Sequence, residues 1–146
     1  MKQSAGPAAW PVALTPAEEG GFIVNFPDLP NGWSQGETRE EALERAEDLL
    51  EEMVLGRMAH GEAVPLPSPP KGRPLVSLPA LAAAKLEAYR AMRDAGLDER
   101  QLAARLGWQP AQVARLFTGR QPPRLDRIEA ALRVLGRRLV VSSRAA

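Results

Sequence analysis

The fold of the C-terminal half is decided by residues 98–136, which read DERQLAARLGWQPAQVARLFTGRQPPRLDRIEAALRVLG. Asp98 and Gln101 have the spacing of a capping box that starts a helix, and Gly107 is placed to end it. A second short helix starts at Pro110, a residue that the first turn of a helix tolerates. Two short helices joined by a glycine turn predict a helix-turn-helix motif.

The outward face of the second helix is the predicted DNA-reading surface. Val113 and Leu116 are expected to pack inward on the core. Gln and Arg side chains have the donor and acceptor geometry that matches adenine and guanine edges, so both types can read bases in the major groove. The residues left on the outward face are Gln109, Ala111, Gln112 and Arg115. The alternative is a helical bundle that binds no DNA.

Basic residues flank this motif and are expected to contact phosphates rather than bases, since phosphate contacts position a protein without reading sequence. They are Arg100, Arg120 and Arg124. The further helices are expected over residues 79–95 and 125–135, so this half is predicted to be all-α. The closing RRLVVSS, residues 137–143, has the composition of a strand.

The predicted terminal strand has no evident partner inside a helical domain. An unpaired strand edge is a liability that proteins cover by pairing. We therefore expect two chains to pair here and form a two-fold homodimer, and higher oligomers through the N-terminal domains are not excluded. The dimer contacts are predicted at Leu139, Val140 and Val141.

Charge divides the chain into two unlike halves. Residues 1–64 carry four basic and twelve acidic side chains, a net charge of −8, whereas residues 65–146 carry fifteen basic and six acidic side chains, a net charge of +9. A basic half favours nucleic acid as a partner. An acidic half repels nucleic acid and attracts a basic protein.

A proline-rich segment lies between the halves, VPLPSPPKGRPLVSLP at residues 64–79. Prolines at this density sustain neither a helix nor a central strand. The sequence therefore predicts a first domain at 1–63, an extended linker at 64–78 and a second domain at 79–146. Residues 1–62 are expected to bind their partner without the linker.

The first domain shows strand patterns around a glycine-containing loop. Apolar residues alternate in WPVAL, residues 10–14, and in FIVNF, residues 22–26, which predicts a β-hairpin. GWSQG, residues 32–36, is short enough for a third strand, and a last strand is expected near residues 63–67. With one helix, this gives an α+β domain of order β-β-β-α-β.

The helix of the first domain is expected to begin at Thr38, because Thr38 and Glu41 have capping-box spacing. Its apolar face is predicted from residues at helical intervals: Leu43, Ala46, Leu50, Met53 and Val54. A second face is acidic, with Glu40, Glu44, Glu47 and Glu51 stepping by four, three and four residues. Such a stripe is often a solvated face, but as a set it fits attraction to a basic partner.

Several kinds of chemistry find no support in the sequence. The chain has no cysteine, and His60 is its one histidine, so zinc lacks ligands. No phosphate-binding glycine loop, signal peptide or apolar membrane span is present. Trp33 and Trp108 are expected to pack in the core or against turns. We predict a cytoplasmic binding protein with no catalytic residue, metal or cofactor.

The order of the N-terminal motifs resembles the HicB antitoxin family. The motifs are Trp10-Pro11-Val12, Glu18 to Gly21, Phe22 to Pro30, Gln35 to Ala42 and the proline-rich Val64 to Pro70. The resemblance implies a reduced RNase H-like N-terminal domain that blocks a HicA-like toxin, a small basic mRNA-cleaving protein with a catalytic histidine. We assign toxin contact to Asp28, Glu40, Glu44, Glu47 and Glu51.

Residues 98–136 also resemble the lambda-repressor-like, or XRE-type, helix-turn-helix family. That resemblance implies that Gln101 touches phosphate and that the C-terminal domain binds the operator of its own operon, an inverted repeat. The sequence departs from the family pattern at Pro110, Ala114 and Phe117, where polar residues are common, which reduces the number of expected base contacts.

Two other functions are open on the sequence. One is a one-component transcriptional regulator whose N-terminal domain senses a small ligand. The other is a nuclease that retains weak RNase H-type activity, although the sequence shows no obvious buried pair of carboxylates for acid–base work.

Overall fold

The computed structural model describes residues 8–118 and 122–145, and the chain divides into two compact units, residues 1–79 and 80–146. The first unit contains β1 Ala9–Pro11, β2 Ala13–Pro16, β3 Phe22–Phe26, β4 Leu29–Gly36, α1 Arg39–Ala59 and β5 Leu75–Ser77. The second contains α2 Ala80–Asp94, α3 Glu99–Leu106, α4 Pro110–Thr118 and α5 Leu125–Val134. The predicted α+β unit followed by a helical unit is confirmed.

The first unit has two small antiparallel sheets. One has the order β2-β3-β4, and the other pairs β1 with β5. The strand predicted over residues 10–14 is therefore in two pieces that join different sheets. The crossing point is Val12, which is fully buried and donates its backbone N–H to Pro74 O at 3.0 Å.

The last strand of the first unit lies at β5 and not near residues 63–67, so that expectation was wrong. Pro65 and Pro67 have no backbone N–H to donate to a ladder. Leu75, Val76 and Ser77 all have one, and they pair with the backbone of β1.

Helix α1 begins where the sequence predicts. The Thr38 hydroxyl accepts a hydrogen bond from Glu41 N–H at 3.1 Å. The residues that α1 buries recur every four positions: Ala42, Ala46, Leu50, Val54 and Met58. Leu43 and Met53, predicted on this face, are only half-buried. A Cβ on Gly36 would lie 2.4 Å from Ala42 N, so glycine there permits the close approach of α1 to β4.

The proline-rich segment packs on the first unit instead of forming a free linker. Trp10 Nε1 donates to Pro65 O at 3.2 Å, and Ser68 N–H and Oγ donate to Asp28 Oδ2 at 2.9 and 3.0 Å. The segment also buries apolar side chains, namely Val64, Val76 and Leu78. A fragment ending at residue 62 would therefore lack part of its core, and residue 79 is the better end for one.

The second unit packs its helices around a small aromatic core. The rings of Tyr89 and Phe117 meet edge to face, with centroids 5.4 Å apart and planes at 76°. Leu102 and Ile128 are fully buried beside the other helices' core residues. Helix α3 ends at Leu106 and α4 begins at Pro110, so a short turn containing Gly107 joins the two helices of the helix-turn-helix.

The segment after α5 does not form the predicted strand over residues 137–143. Residues 137–145 have no strand assignment, and the side chains of Val140 and Val141 are 77% and 78% exposed. A strand needs a neighbouring backbone to satisfy its N–H and C=O groups, and the described part of this helical unit offers none.

Across the described residues, no helix is long and apolar enough to cross a membrane.

Candidate DNA-reading and partner-binding surfaces

Helix α4 presents a narrow exposed face in the second unit. Ala111, Arg115 and Thr118 are exposed and follow one another at helical spacing, whereas Val113 and Leu116 are buried as expected. Arg115 is therefore the long polar side chain on the solvent side of this helix.

Gln112 has a structural role that was not predicted, although it follows Gln109 by the three residues of capping-box spacing. Its Oε1 accepts a hydrogen bond from Gln109 N–H at 2.8 Å, which caps the start of α4. The side chain is half-buried and lies one helical turn before Arg115, roughly 60° from it around the helix at 100° per residue. Its carbonyl oxygen is thus committed to the helix start, and only its amide donors are available for a base.

A cationic pocket of about 200 Å³ lies beside α4. Arg115 and Arg127 line it together with Trp108, and the guanidinium of Arg127 lies 4.9 Å from the centroid of the Trp108 ring. Trp108 thus packs at the turn before α4, as expected, and holds an arginine in place. Arg124 also lines the pocket, and its charge is paired with Asp126 at 2.9 Å.

The helix-turn-helix also exposes unpaired positive charge. Within residues 8–118 and 122–145, Arg100, Arg105 and Arg115 take part in no ion pair. Gln101 is exposed, but its Oε1 accepts from Asp98 N–H at 2.9 Å and completes the capping box of α3. Arg120, a predicted DNA contact, lies outside the described residues.

Glu99, in the first turn of α3, has a perturbed ionisation. Partial burial, and secondarily the charge of Asp98, raise the pKa of the Glu99 carboxyl. The folded unit therefore favours the protonated form. Any stability that this gives is present at low pH and is lost as pH rises through the raised pKa.

The predicted acidic stripe of the first unit lies on one flank of α1. Glu40, Glu44 and Glu47 are exposed and Glu51 is half-buried, and none makes an ion pair within the part of the chain that is described. Asp28 differs from them, because its carboxylate holds Ser68 and so anchors the proline-rich segment.

Two grooves in the first unit were not predicted. One of about 920 Å³ lies between the β2–β3 loop and the start of α1, and its acidic lining consists of Glu18, Glu19, Glu37 and Glu41, with Arg45 beside them. The other, of about 400 Å³, is lined by Trp33, Leu49 and Met53 among others. Trp33 is 65% exposed, so its expected packing in the core or against a turn was wrong.

The sequence contained a signal for this exposure. Trp33 lies between Gly32 and Ser34 in a strand whose even-numbered residues, including Gly32 and Gly36, approach α1. Side chains alternate across a strand, so an odd-numbered residue of β4 had to lie outside the packed contact between β4 and α1. Within the described residues, no group of three or more His, Cys, Asp or Glu side chains could hold a metal ion.

Comparison with known proteins identifies both units. The family model described as "HicB_like antitoxin of bacterial toxin-antitoxin system" matches residues 9–87. A second model, described as "Helix-turn-helix domain", matches residues 81–140.

Three curated relatives match over most of their length. "Antitoxin HicB 1" of Photorhabdus laumondii is 38% identical over 133 residues, covering 91% of this chain and 85% of the relative. "Antitoxin HicB" of Escherichia coli K12 is 34% identical over 131 residues, covering 89% and 95%. "Antitoxin HicB" of Pseudomonas fluorescens is 31% identical over 144 residues, covering 97% and 99%.

Proposed function

Because the chain belongs to the HicB-like antitoxin family, and is thus an antitoxin-family protein rather than an enzyme, we propose that it inhibits a HicA-like mRNA-cleaving toxin and represses its own operon. The observation that carries the proposal is the joining of an acidic α+β unit to a basic helix-turn-helix unit in one chain. Both targets, an mRNA-cleaving enzyme and an operator, place its action in the cytoplasm.

The first unit is the proposed toxin-binding unit. The β2-β3-β4 meander followed by α1 supports a reduced RNase H-like fold. The unpaired acids of α1 provide long-range attraction to a basic toxin, which raises the rate of encounter. Of the five predicted toxin contacts, Asp28 has the weakest support because its carboxylate is occupied by Ser68.

The second unit is the proposed operator-binding unit, with α4 in the major groove. Arg115 reads a base from the exposed face, and the unpaired Arg100 contacts phosphate. Gln101 and Gln109 flank the helix starts, where backbone N–H groups also favour phosphate. Two units related by a two-fold axis would read an inverted repeat with half-sites about one turn apart, or a multiple of it.

A test of the whole proposal uses the toxin encoded beside this gene. Cells that express the toxin should stop growing, and co-expression of this chain should restore growth. A reporter driven by the operon's own promoter should fall when the chain is present. Growth rescue without any repression would limit the function to toxin inhibition. Repression without rescue would favour a one-component regulator.

The proposed dimer rests on the C-terminal segment. Val140 and Val141 are large apolar side chains left exposed in a single chain, and Leu139 is half-buried. Deleting residues 138–146 should give monomers by light scattering and weaken operator binding, because two linked units bind two half-sites far better than one unit binds one. Deleting only residues 144–146 is the matched control. A dimer that survives the longer deletion places the interface elsewhere.

A further inference from the structure

The open edge of the β2-β3-β4 sheet carries a large exposed apolar side chain. Trp33 on β4 is 65% exposed, and Leu49 and Met53 of α1 line the groove beside it. Single exposed apolar residues are ordinary on protein surfaces. A tryptophan beside a groove with aliphatic and thioether walls has instead the composition of an interface hot spot.

The acidic groove continues from this apolar patch along the same edge. Gln35 lines the acidic groove and lies two residues from Trp33, so both side chains leave the same face of β4. On α1, Arg45 of the acidic groove lies one turn before Leu49 of the apolar groove. The two grooves therefore lie next to each other along β4 and α1, one with an apolar lining and one with an acidic lining. Protein interfaces commonly combine an apolar centre with a polar rim.

We propose that this β4-edge surface is the docking site of the basic toxin, an inference that rests on the toxin-binding function proposed above. The surface is defined by Trp33, Leu49, Met53, Glu18, Glu19, Glu37 and Glu41. It lies on the other flank of α1 from the acidic stripe, roughly 150° around the helix at 100° per residue. The stripe attracts the toxin at a distance, and the β4-edge surface holds it.

The acidic side chains of this surface favour a basic protein as its binding partner. Residues 1–64 carry a net charge of −8, so a second copy of the unit would bring the same acidic border against itself and be repelled. Nucleic acid is repelled for the same reason. A basic protein gains electrostatic attraction at the border and apolar contact with Trp33 at the centre.

The test measures toxin binding by the full-length chain. The probe is the toxin encoded beside this gene, with its expected catalytic histidine replaced by alanine so that the host survives. Trp33→Ala and the double variant Glu18→Lys/Glu19→Lys should each weaken binding at least tenfold in calorimetric titrations. Both should melt like the wild type, because the altered side chains are exposed.

Two matched controls come from the same unit. Leu66 is 69% exposed and lines neither groove, so Leu66→Ala should bind as the wild type does. Glu44→Lys/Glu47→Lys reverses two charges of the stripe. It should slow association at low salt, with a smaller loss of affinity than the Glu18/Glu19 pair.

A wild-type chain that does not bind the toxin removes the proposed function and this inference together. Wild-type binding that Trp33→Ala and Glu18→Lys/Glu19→Lys leave within twofold overturns the inference alone. So does a larger loss from Glu44→Lys/Glu47→Lys, which would place the dock on the stripe. A Trp33→Ala variant that changes only self-association in sedimentation would assign the surface to a second copy and refute toxin docking.

Discussion

Replacing Trp10 with alanine is expected to destabilise the first unit strongly and weaken toxin binding while operator binding persists. Trp10 has no exposed surface, and its Nε1 donates to Pro65 O at 3.2 Å. Truncating a buried tryptophan to alanine costs about 3–5 kcal/mol, because contacts are lost and a cavity remains. That is a large fraction of the roughly 5–15 kcal/mol that stabilises an ordinary domain.

The expected measurement is a melting curve with a fall of more than about 10 °C for the transition of the first unit. Trp33→Ala makes the same chemical change at an exposed site of the same unit, so it controls for the loss of a tryptophan as such. Operator affinity should stay within a few-fold of the wild type, since Tyr89, Phe117 and Ile128 form a separate core in the second unit. An unchanged melting curve for Trp10→Ala would show that the proline-rich segment does not close the first core.

Replacing Arg115 with alanine is expected to weaken binding to the operator by tenfold to more than hundredfold. A good bidentate contact between arginine and guanine contributes about 1–3 kcal/mol of discrimination. Arg115 is exposed on α4 and makes no ion pair among the described residues, so its guanidinium is available for DNA. Scrambled DNA should lose much less affinity than the operator.

Arg100→Ala is the matched control, because it removes the same side chain from the exposed surface of α3. It should weaken operator and scrambled DNA alike and reduce the slope of affinity against salt by about one phosphate contact. Gln112→Ala should cost less specificity than Arg115→Ala, since the Gln112 oxygen caps α4. Titrations at two salt concentrations separate these results. Equal losses on both DNAs for Arg115→Ala would make Arg115 a phosphate contact.

Local patterns in the sequence predicted the helices well. The capping residues Thr38 and Asp98 and the turn residue Gly107 act within a few residues of themselves, and the structure places all three as expected. Helix starts and stops depend on hydrogen bonds between near neighbours in the chain, so they are written in short motifs. The family resemblance and the division of charge between the two halves were likewise evident from the sequence alone.

The pairing of strands that are far apart in the chain could not be predicted from local patterns in the sequence. Nothing local to Trp10 shows that β1 pairs with β5 some 65 residues later, or that Pro65 accepts its indole N–H. The expectation of an extended linker at residues 64–78 was wrong for this reason. Prolines that prevent a helix still permit an extended segment to pack on a core. The terminal strand was predicted to pair with a second chain, and its apolar composition does not supply a partner backbone within a single chain.

The sequence by itself determined the two units, their opposite charges, the start of α1, both ends of α3, and the family. The tertiary structure alone decided which side chains are free to bind. It engaged Asp28 with Ser68, 40 residues away, and exposed Trp33 beside the groove that Leu49 and Met53 line. The physical reason is that exposure and hydrogen bonding depend on neighbours brought together from distant parts of the chain, which composition and spacing do not specify.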